Sequence, residues 1–388
     1  MAASPSTARV INDRLALGLL QREGPLTAGE LKVLTGLSRP TVADLVERLQ
    51  DSGLIRIVGE TGARRRGPNA RVYGIVADRA HLAALDVRTD GVTLVVADLL
   101  GATIAEASLP IARDTRTGPA VERAAALLED TARDAGADRL HTVAVGVPGL
   151  IDPGTGELRE SALPGWHRSL AGALQQRLSA RIVLENETNL AAVAEQRSGA
   201  ARDRDTFAFL WLGRGVGAAL FLDGRLRRGV SGGAGEIGFL PVPGTGGLPS
   251  ASGCDGGFHS LAGSAAIGAL AAEHGLKAPG AAQSNASAVV AEAVAAGADG
   301  FLDAFADRVA VGAAAVTSVL DPGCVVLGGE IGLAGGADLA ARVATRLAAL
   351  NPLPTEVRAG ELGGAAILRG ALLTARDHAQ EALFAPDT

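Results

Sequence analysis

Residues 26–53 read LTAGELKVLTGLSRPTVADLVERLQDSG, and they contain two short helices with their start and stop residues in order. Thr27, with Glu30 three positions later, forms a capping box that begins a helix over 28–34, and Gly36 favours its end. Ser38 is a typical N-cap, and Pro40 in the first turn loses no hydrogen bond. The second helix has an apolar face made by Val42, Leu45, Val46 and Leu49. Two helices joined by a short glycine turn are typical of a helix-turn-helix.

The flanking sequence extends this unit to residues 1–76. Upstream, a helix over 10–21 is predicted to place Ile11, Leu15, Leu19 and Leu20 on one face. Downstream, strands over 54–58 and 70–76 enclose a basic turn, which predicts a wing. Residues 1–76 hold 11 basic and 7 acidic residues, a net charge of +4, whereas the whole chain carries -6. The pattern indicates a basic DNA-binding module on an acidic body.

The second helix of such a module enters the major groove with its N-terminus first. We therefore expect four residues to face the base edges, namely Ser38, Arg39, Pro40 and Thr41. Three arginines at the wing tip suit phosphates or a narrow minor groove: Arg64, Arg65 and Arg66. The alternative is that the three-helix unit is an interaction module and that the arginine triplet is only solvated.

The remaining chain predicts two α/β lobes with a cleft between them. Three successive strand patterns followed by alternating helix and strand occur twice. We place the first lobe at 77–187, with a C-terminal helix at 365–384 packed against it, and the second lobe at 188–364. Hydrophobic residues make up 47% of the chain, which excludes a disordered protein. Two cysteines, no signal-peptide pattern and no apolar run long enough to span a membrane favour a cytoplasmic protein.

Six segments of these lobes stand out: VAVGVPGLID (143–152), LPGW (163–166), VLENETNLAAVAE (183–195), LGRGVGAALFLDG (212–224), GAGEIGF (233–239) and LDPGCVVLGGE (320–330). Together they resemble the ROK family of repressors and sugar kinases with an actin-like ATPase fold. The resemblance covers almost the whole chain. Kinases of the family lack a DNA-binding module, so the architecture resembles a ROK repressor.

The sequence departs from the kinase pattern at three places. The resemblance implies D-x-G-G-T at the first phosphate loop, where this chain has Asp86, Val87, Arg88, Thr89 and Asp90. The second phosphate loop, usually Gly-Thr-Gly, has Arg214 at its centre. The family's catalytic Asp matches Glu187. Because phosphoryl transfer depends on positioning, we expect no kinase activity.

The resemblance also implies an effector site in the cleft. The matching positions are Asn186, Glu187, Glu236 and His259, with Gly149 and Ser161 as weaker contacts and Arg214 as a positive neighbour. Carboxylates and amides suit sugar hydroxyls. Alternatively, Asn186 and Glu236 brace loops, Glu187 pairs with an arginine, and Arg214 either binds a phosphate or carboxylate of the effector or pairs with Asp86, Asp90 or Glu187.

The family's zinc ligands are replaced as a set. The matching positions for three cysteines and one histidine are Ser250, Ser252, Gly257 and Phe239. Cys254 and His259 remain nearby, and two ligands make a poor zinc site. We therefore expect no metal and no other cofactor, and we expect Phe239 and Phe258 to help pack this region instead.

These observations predict a homodimeric or homotetrameric repressor of carbohydrate uptake or metabolism genes. Its partners would be an operator in double-stranded DNA and a small sugar-like effector. Two alternatives remain: a ROK sugar kinase with an appended DNA-binding head, and a constitutive DNA binder with a vestigial cleft.

Overall fold

The residues that the structure describes form three separate sheets, one in the N-terminal unit and two in the body. The computed structural model describes residues 5–61, 70–112, 114–159, 164–250, 253–276 and 286–384. No helix among these residues combines the length and the apolar character needed to cross a bilayer.

The N-terminal unit, here called the head, is a winged helix-turn-helix. Its elements are α1 (Pro5–Glu23), β1 (Leu26–Thr27), α2 (Ala28–Thr35), α3 (Arg39–Asp51), β2 (Ile55–Thr61) and β3 (Ala70–Ile75). The strand β2 continues three residues beyond its predicted end, because a bulge between Ile57 and Gly59 lets it keep pairing with β3. The predicted apolar face of α1 is wrong in part, since Ile11 and Leu15 are 55% and 40% exposed while Leu17 is buried.

The first of the two large sheets has the order β6-β5-β4-β7-β8. Its strands and helices are β4 (His81–Arg88), β5 (Gly91–Asp98), β6 (Thr103–Pro110), α4 (Thr117–Asp134), β7 (Leu140–Val147), α5 (Gly165–Arg177), β8 (Arg181–Asn186) and α6 (Glu187–Ser198). The strands β4, β5 and β6 are antiparallel neighbours, whereas β7 and β8 run parallel to β4. Each parallel strand therefore needs a helical crossover.

The second large sheet repeats this arrangement in the order β11-β10-β9-β12-β13. Its elements are β9 (Phe207–Leu212), β10 (Val216–Leu222), β11 (Arg225–Arg227), α7 (His259–Ala262), α8 (Ser264–Glu273), α9 (Ala286–Ala296), α10 (Asp299–Leu320), β12 (Cys324–Gly328), α11 (Gly329–Leu350) and β13 (Glu356–Ala359). The prediction of two α/β lobes on this repeated pattern is confirmed.

The last helix, α12 (Ala366–Leu383), packs against α6 and against β4 and β7 of the first sheet. The two helices meet closely, because a Cβ built on Gly370 would lie 1.9 Å from the carbonyl oxygen of Leu190. Only glycine fits there. Both helices share one apolar cluster with the first sheet and with Phe207 and Phe209 of β9. The residue boundaries of the lobes stay a prediction.

The far end of α12 contacts the head. The side-chain amide of Gln380 donates to the Oε1 atom of Gln21 at 2.9 Å and to the carbonyl oxygen of Leu99 at 3.0 Å. Leu17 and Leu20 of α1 belong to the same apolar cluster as Ala375 and Ala379. One helix therefore connects the head to the core of the body.

Candidate functional site

The N-terminus of α3 is built by local hydrogen bonds. The Ser38 hydroxyl accepts from the Thr41 amide at 3.3 Å and lies 2.7 Å from the Thr41 hydroxyl. Ser38, Arg39 and Pro40 are exposed, and Thr41 is half-buried. Arg39 makes no hydrogen bond or ion pair with any described residue. Its guanidinium is therefore free to bind an outside partner, while Ser38 and Thr41 are engaged in the cap.

The orientation of α3 depends on Arg48, which the sequence analysis did not single out. Its Nη2 atom lies 2.6 Å from the Oδ1 atom of Asp13 on α1, and its Nη1 atom pairs with Asp44. The hydrogen bond to Asp13 raises the pKa of Arg48 above its ordinary value, and it outweighs the opposite effect of burial. This pair ties α3 to α1, and the 35-residue separation gave no sequence signal.

The predicted wing-tip residues Arg64, Arg65 and Arg66 lie outside the described residues. The strands that lead to them are described, and Ala70 pairs with Thr61 at the last step of the ladder. Ser161, predicted as a weak effector contact, also lies outside the described residues.

A cavity of about 230 Å³ lies where the two large sheets approach each other. Four of the predicted effector residues line it: Gly149, Asn186, Glu187 and Glu236. The opposite wall comes from residues 215–218 together with Gly232, Ala234 and Gly235. The structure therefore brings together motifs that are up to 87 positions apart, although their role toward a ligand stays a prediction.

Asn186 acts as the N-cap of α6 and as a brace. Its Oδ1 atom accepts from the amides of Thr188 at 2.9 Å and Asn189 at 3.3 Å. Its Nδ2 atom donates to the carbonyl oxygen of Gly149 at 2.9 Å. The loop-bracing alternative for Asn186 thus has direct structural support.

The two carboxylates of the cavity are costly to ionise. Burial and the charge of Asp86 raise the pKa of Glu187 to about 7, although Arg88 and Arg214 act in the opposite direction. Burial also raises the pKa of Glu236. Neither carboxylate has a hydrogen-bond partner among the described residues, so both are available to a hydroxyl-bearing ligand.

Arg88 occupies the turn where the sequence departs from the kinase pattern. Its Nε atom donates to the Oδ2 atom of Asp86 at 2.9 Å, and Nη1 donates to the Oε1 atom of Glu330 at 2.7 Å. Its Nη2 atom lies 3.3 Å from the carbonyl oxygen of Gly364. The buried ring of His167 contacts the Arg88 carbonyl oxygen through Nε2 at 3.2 Å, and burial lowers the pKa of His167.

Arg214 does not line the cavity. Its Nη2 atom lies 3.6 Å from the Oδ2 atom of Asp90, and Nη1 pairs with the Thr89 hydroxyl. Of the three partners proposed for it from the sequence, the structure gives Asp90. His259 also lies outside the lining. It is next to Gly215, where an added Cβ would lie 3.8 Å from the His259 ring.

Glu185 is a buried carboxylate that the sequence analysis missed. Its Oε2 atom accepts from Arg228 Nε at 2.6 Å, and Oε1 accepts from the Asn189 side chain at 2.9 Å and from the Asn186 amide at 3.0 Å. Arg228 follows β11 of the second sheet, so this pair connects the two large sheets. The only sequence signal for Glu185 was its place beside Asn186 in the segment VLENETNLAAVAE.

Among the described residues, no group of three or more His, Cys, Asp or Glu is placed to hold a metal ion. Phe258 is fully buried in the core of the second lobe, whereas Phe239 is 40% exposed. The expectation that both rings pack this region is therefore wrong for Phe239, because it sits in a short turn with its side chain toward solvent.

Comparison with known proteins identifies the family of this chain and structures that share its fold. The ROK family model matches residues 82–378, and the MarR family model matches residues 11–66. The xylose repressor of Bacillus subtilis (strain 168) is 24% identical over 258 residues, which are 62% of this chain and 62% of that protein. The glucokinase of Halalkalibacterium halodurans is 31% identical over 132 residues, 34% of this chain and 40% of that protein.

A solved ROK family transcriptional regulator, described as a homologue of the E. coli MLC protein, has the same fold. Its TM-score is 0.77 at 19% identity, covering 97% of this chain and 98% of that one. In sequence, the chain spans less than two thirds of the length of the curated relatives that it matches. The structural match to the regulator extends over the head as well as the body.

Proposed function

The chain belongs to the ROK family, and on that premise we propose that it is a transcriptional regulator that binds double-stranded DNA. The observation that carries the proposal is the exposed N-terminus of α3, where Arg39 has no partner among the described residues. An arginine at this position of a helix-turn-helix can bind guanine through two hydrogen bonds. A relative named as a repressor supports repression, here of carbohydrate uptake or metabolism genes.

We propose a neutral, hydroxyl-rich effector of one ring, such as a monosaccharide. The cavity of about 230 Å³ lies below the roughly 300–1,000 Å³ of drug-sized sites. Its described lining holds Glu187 and Glu236 and neither lysine nor arginine. This lining disfavours a phosphate or carboxylate. The charged-effector alternative rested on Arg214 and His259. Neither is among the lining residues, and the Arg214 guanidinium already contacts Asp90 and Thr89.

The second candidate function is a sugar kinase with a DNA-binding head. The partial match to a glucokinase favours it. The turn after β4 argues against it, because Arg88 fills the loop with a side chain and Asp90 would repel a triphosphate. We therefore propose that the chain is not an enzyme.

Regulation would require two heads on one operator. A homodimer or homotetramer reads half-sites about 34–36 Å apart, and a ligand that changed the relation between the sheets would change the head spacing. Such a protein works in the cytoplasm, where the DNA is.

The test has two arms. Sequences selected from random DNA give the operator, and fluorescence anisotropy then reports its affinity with and without each sugar. Thermal shift compares neutral sugars with their phosphates on the wild type, Arg214→Ala and Glu236→Gln. We expect neutral sugars to stabilise the first two equally. Glu236→Gln should weaken binding by about 1.5–3 kcal/mol, while Glu106→Gln on exposed β6 serves as the control.

Three results would count against these proposals. Stabilisation by phosphates that disappears in Arg214→Ala would restore the charged effector. Operator binding with no response to any sugar would favour the constitutive binder. Sugar-dependent ATP consumption would establish the kinase.

A further inference from the structure

Besides the Arg228–Glu185 pair described above, two more arginines connect the large sheets across the cleft. Arg88 ends β4 of the first sheet, and its Nη1 atom donates at 2.7 Å to Glu330 at the start of α11. Arg214 lies in the β9–β10 turn of the second sheet and contacts Thr89 and Asp90 in the β4–β5 turn of the first. The two contacts point in opposite directions, since each sheet supplies one arginine.

The Arg88 side chain is oriented toward Glu330 by a residue of its own strand. Asp86, whose side chain is 7% exposed, accepts from Arg88 Nε at 2.9 Å, so the guanidinium is already oriented by its own strand. Little side-chain freedom is then lost when Glu330 binds. The Gly364 carbonyl oxygen, in the turn that leads into α12, lies 3.3 Å from Nη2 and gives the guanidinium a further contact.

Both contacts remain open to solvent. The side chains of Arg88 and Glu330 are 37% and 36% exposed, and those of Arg214 and Asp90 are 55% and 59% exposed. A single exposed ion pair is weak. Two that span the same cleft act together, because either one keeps the partners of the other close.

We propose that Arg88 and Arg214 are positioning residues that hold the two lobes at a fixed angle without a nucleotide or any other bound ligand. Only the consequence for DNA binding rests on the proposed function. The holding itself does not depend on it, so it is tested without DNA or sugar.

The lobe-to-lobe distance is the direct measure. Spin labels go on Ser169→Cys of α5 and Thr345→Cys of α11, which are both exposed. Cys254→Ser removes the half-buried thiol, while Cys324 is fully buried and stays. We expect the full-length wild type to give a single narrow distance distribution.

The variants remove charge and keep a polar side chain at each position. Glu330→Gln combined with Arg214→Gln should widen the distribution and move its mean by several ångströms. Arg177→Gln is the matched control, because Arg177 pairs with Glu122 and Glu129 within the first lobe. It should leave the distribution unchanged. Far-UV circular dichroism confirms that each variant is folded.

Rescue and salt separate positioning from general damage. In the Glu330→Gln background, the exchange Asp90→Arg with Arg214→Asp should restore the narrow distribution that Arg214→Asp loses in that background. Raising NaCl to about 1 M shortens the screening length to about 3 Å. The distance distribution of the wild type should then resemble that of the double variant. This measurement needs no substitution in either ion pair, so it tests the proposal even where a variant fails to fold. An unchanged distribution in both the double variant and high salt, or no rescue by the exchange, overturns the proposal.

Failure of the repressor proposal gives a different result. In that case no operator would be found, yet the spin-label distances would still respond to the variants.

Discussion

Glu187 is the residue whose charge depends most on its surroundings in the cavity. Its pKa is about 7 in the folded protein, chiefly because of burial, against an ordinary value of 4.5. Between these two values the folded state keeps a proton that the unfolded chain has lost. Stability must therefore fall as pH rises through this window.

This sign gives a prediction for Glu187→Gln. The glutamine never ionises, so the free energy of unfolding of the variant relative to wild type should rise by about 1–2 kcal/mol between pH 4.5 and pH 8. The full pKa difference would correspond to a larger change in free energy, but the Glu187 side chain is partly open to solvent, which reduces the effect. Urea unfolding at the two pH values measures it, with Glu106→Gln as an exposed control. A difference independent of pH would contradict the raised pKa.

Arg39 allows a test at the level of single bases. Because its guanidinium has no partner among the described residues, Arg39→Ala should leave stability unchanged. It should cost about 1–3 kcal/mol in binding at the preferred base pair only. Competition binding with operators changed at one position gives the comparison. Equal weakening on every sequence would make Arg39 a phosphate contact.

Residue pairings were the least predictable feature. The resemblance to the ROK family grouped Asn186, Glu187, Glu236 and Gly149, and they do line one cavity. The pairing of Arg88 with Glu330 joins side chains 242 positions apart. Such a contact depends on how the lobes meet, and no local pattern records it.

Elements with local signals were predicted well. The α2 capping box is present as expected, with the Thr27 hydroxyl accepting from the Glu30 amide at 3.2 Å, and Gly36 ends the helix at φ 70°. The length of β2 was not predictable, because its bulge depends on pairing with β3. The buried face of α1 depends on α12, which lies at the other end of the chain.

The wing is an element that DNA binding tests directly, although its tip lies outside the described residues. Replacing Arg64, Arg65 and Arg66 with alanine should weaken binding to all DNA sequences. Each lost phosphate contact should remove about 0.9 from the slope of log K against log salt. Arg133→Ala on exposed α4 is the control. A slope equal to that of the wild type would mean that the wing does not touch DNA.

At the scale of the molecule, α12 joins the cleft to the head. The turn before it contacts Arg88 through Gly364, and its middle packs on α6 at Gly370. Its end holds α1 through Gln380, which contacts both Gln21 and Leu99. The head is therefore anchored to the body by a side chain that makes two hydrogen bonds at once.

Gln380→Leu should loosen the head without unfolding the body. The change removes both hydrogen bonds and leaves the Leu99 carbonyl oxygen without this donor, which costs about 1–3 kcal/mol. Because the loss falls on the contact between α1 and α12, amides of α1 should exchange with deuterium faster. Amides of β12, which is an interior strand of the second sheet, should keep their rates. Gln175→Leu on exposed α5 should change neither, and equal acceleration in α1 and β12 would show that Gln380 supports the whole fold instead of anchoring the head.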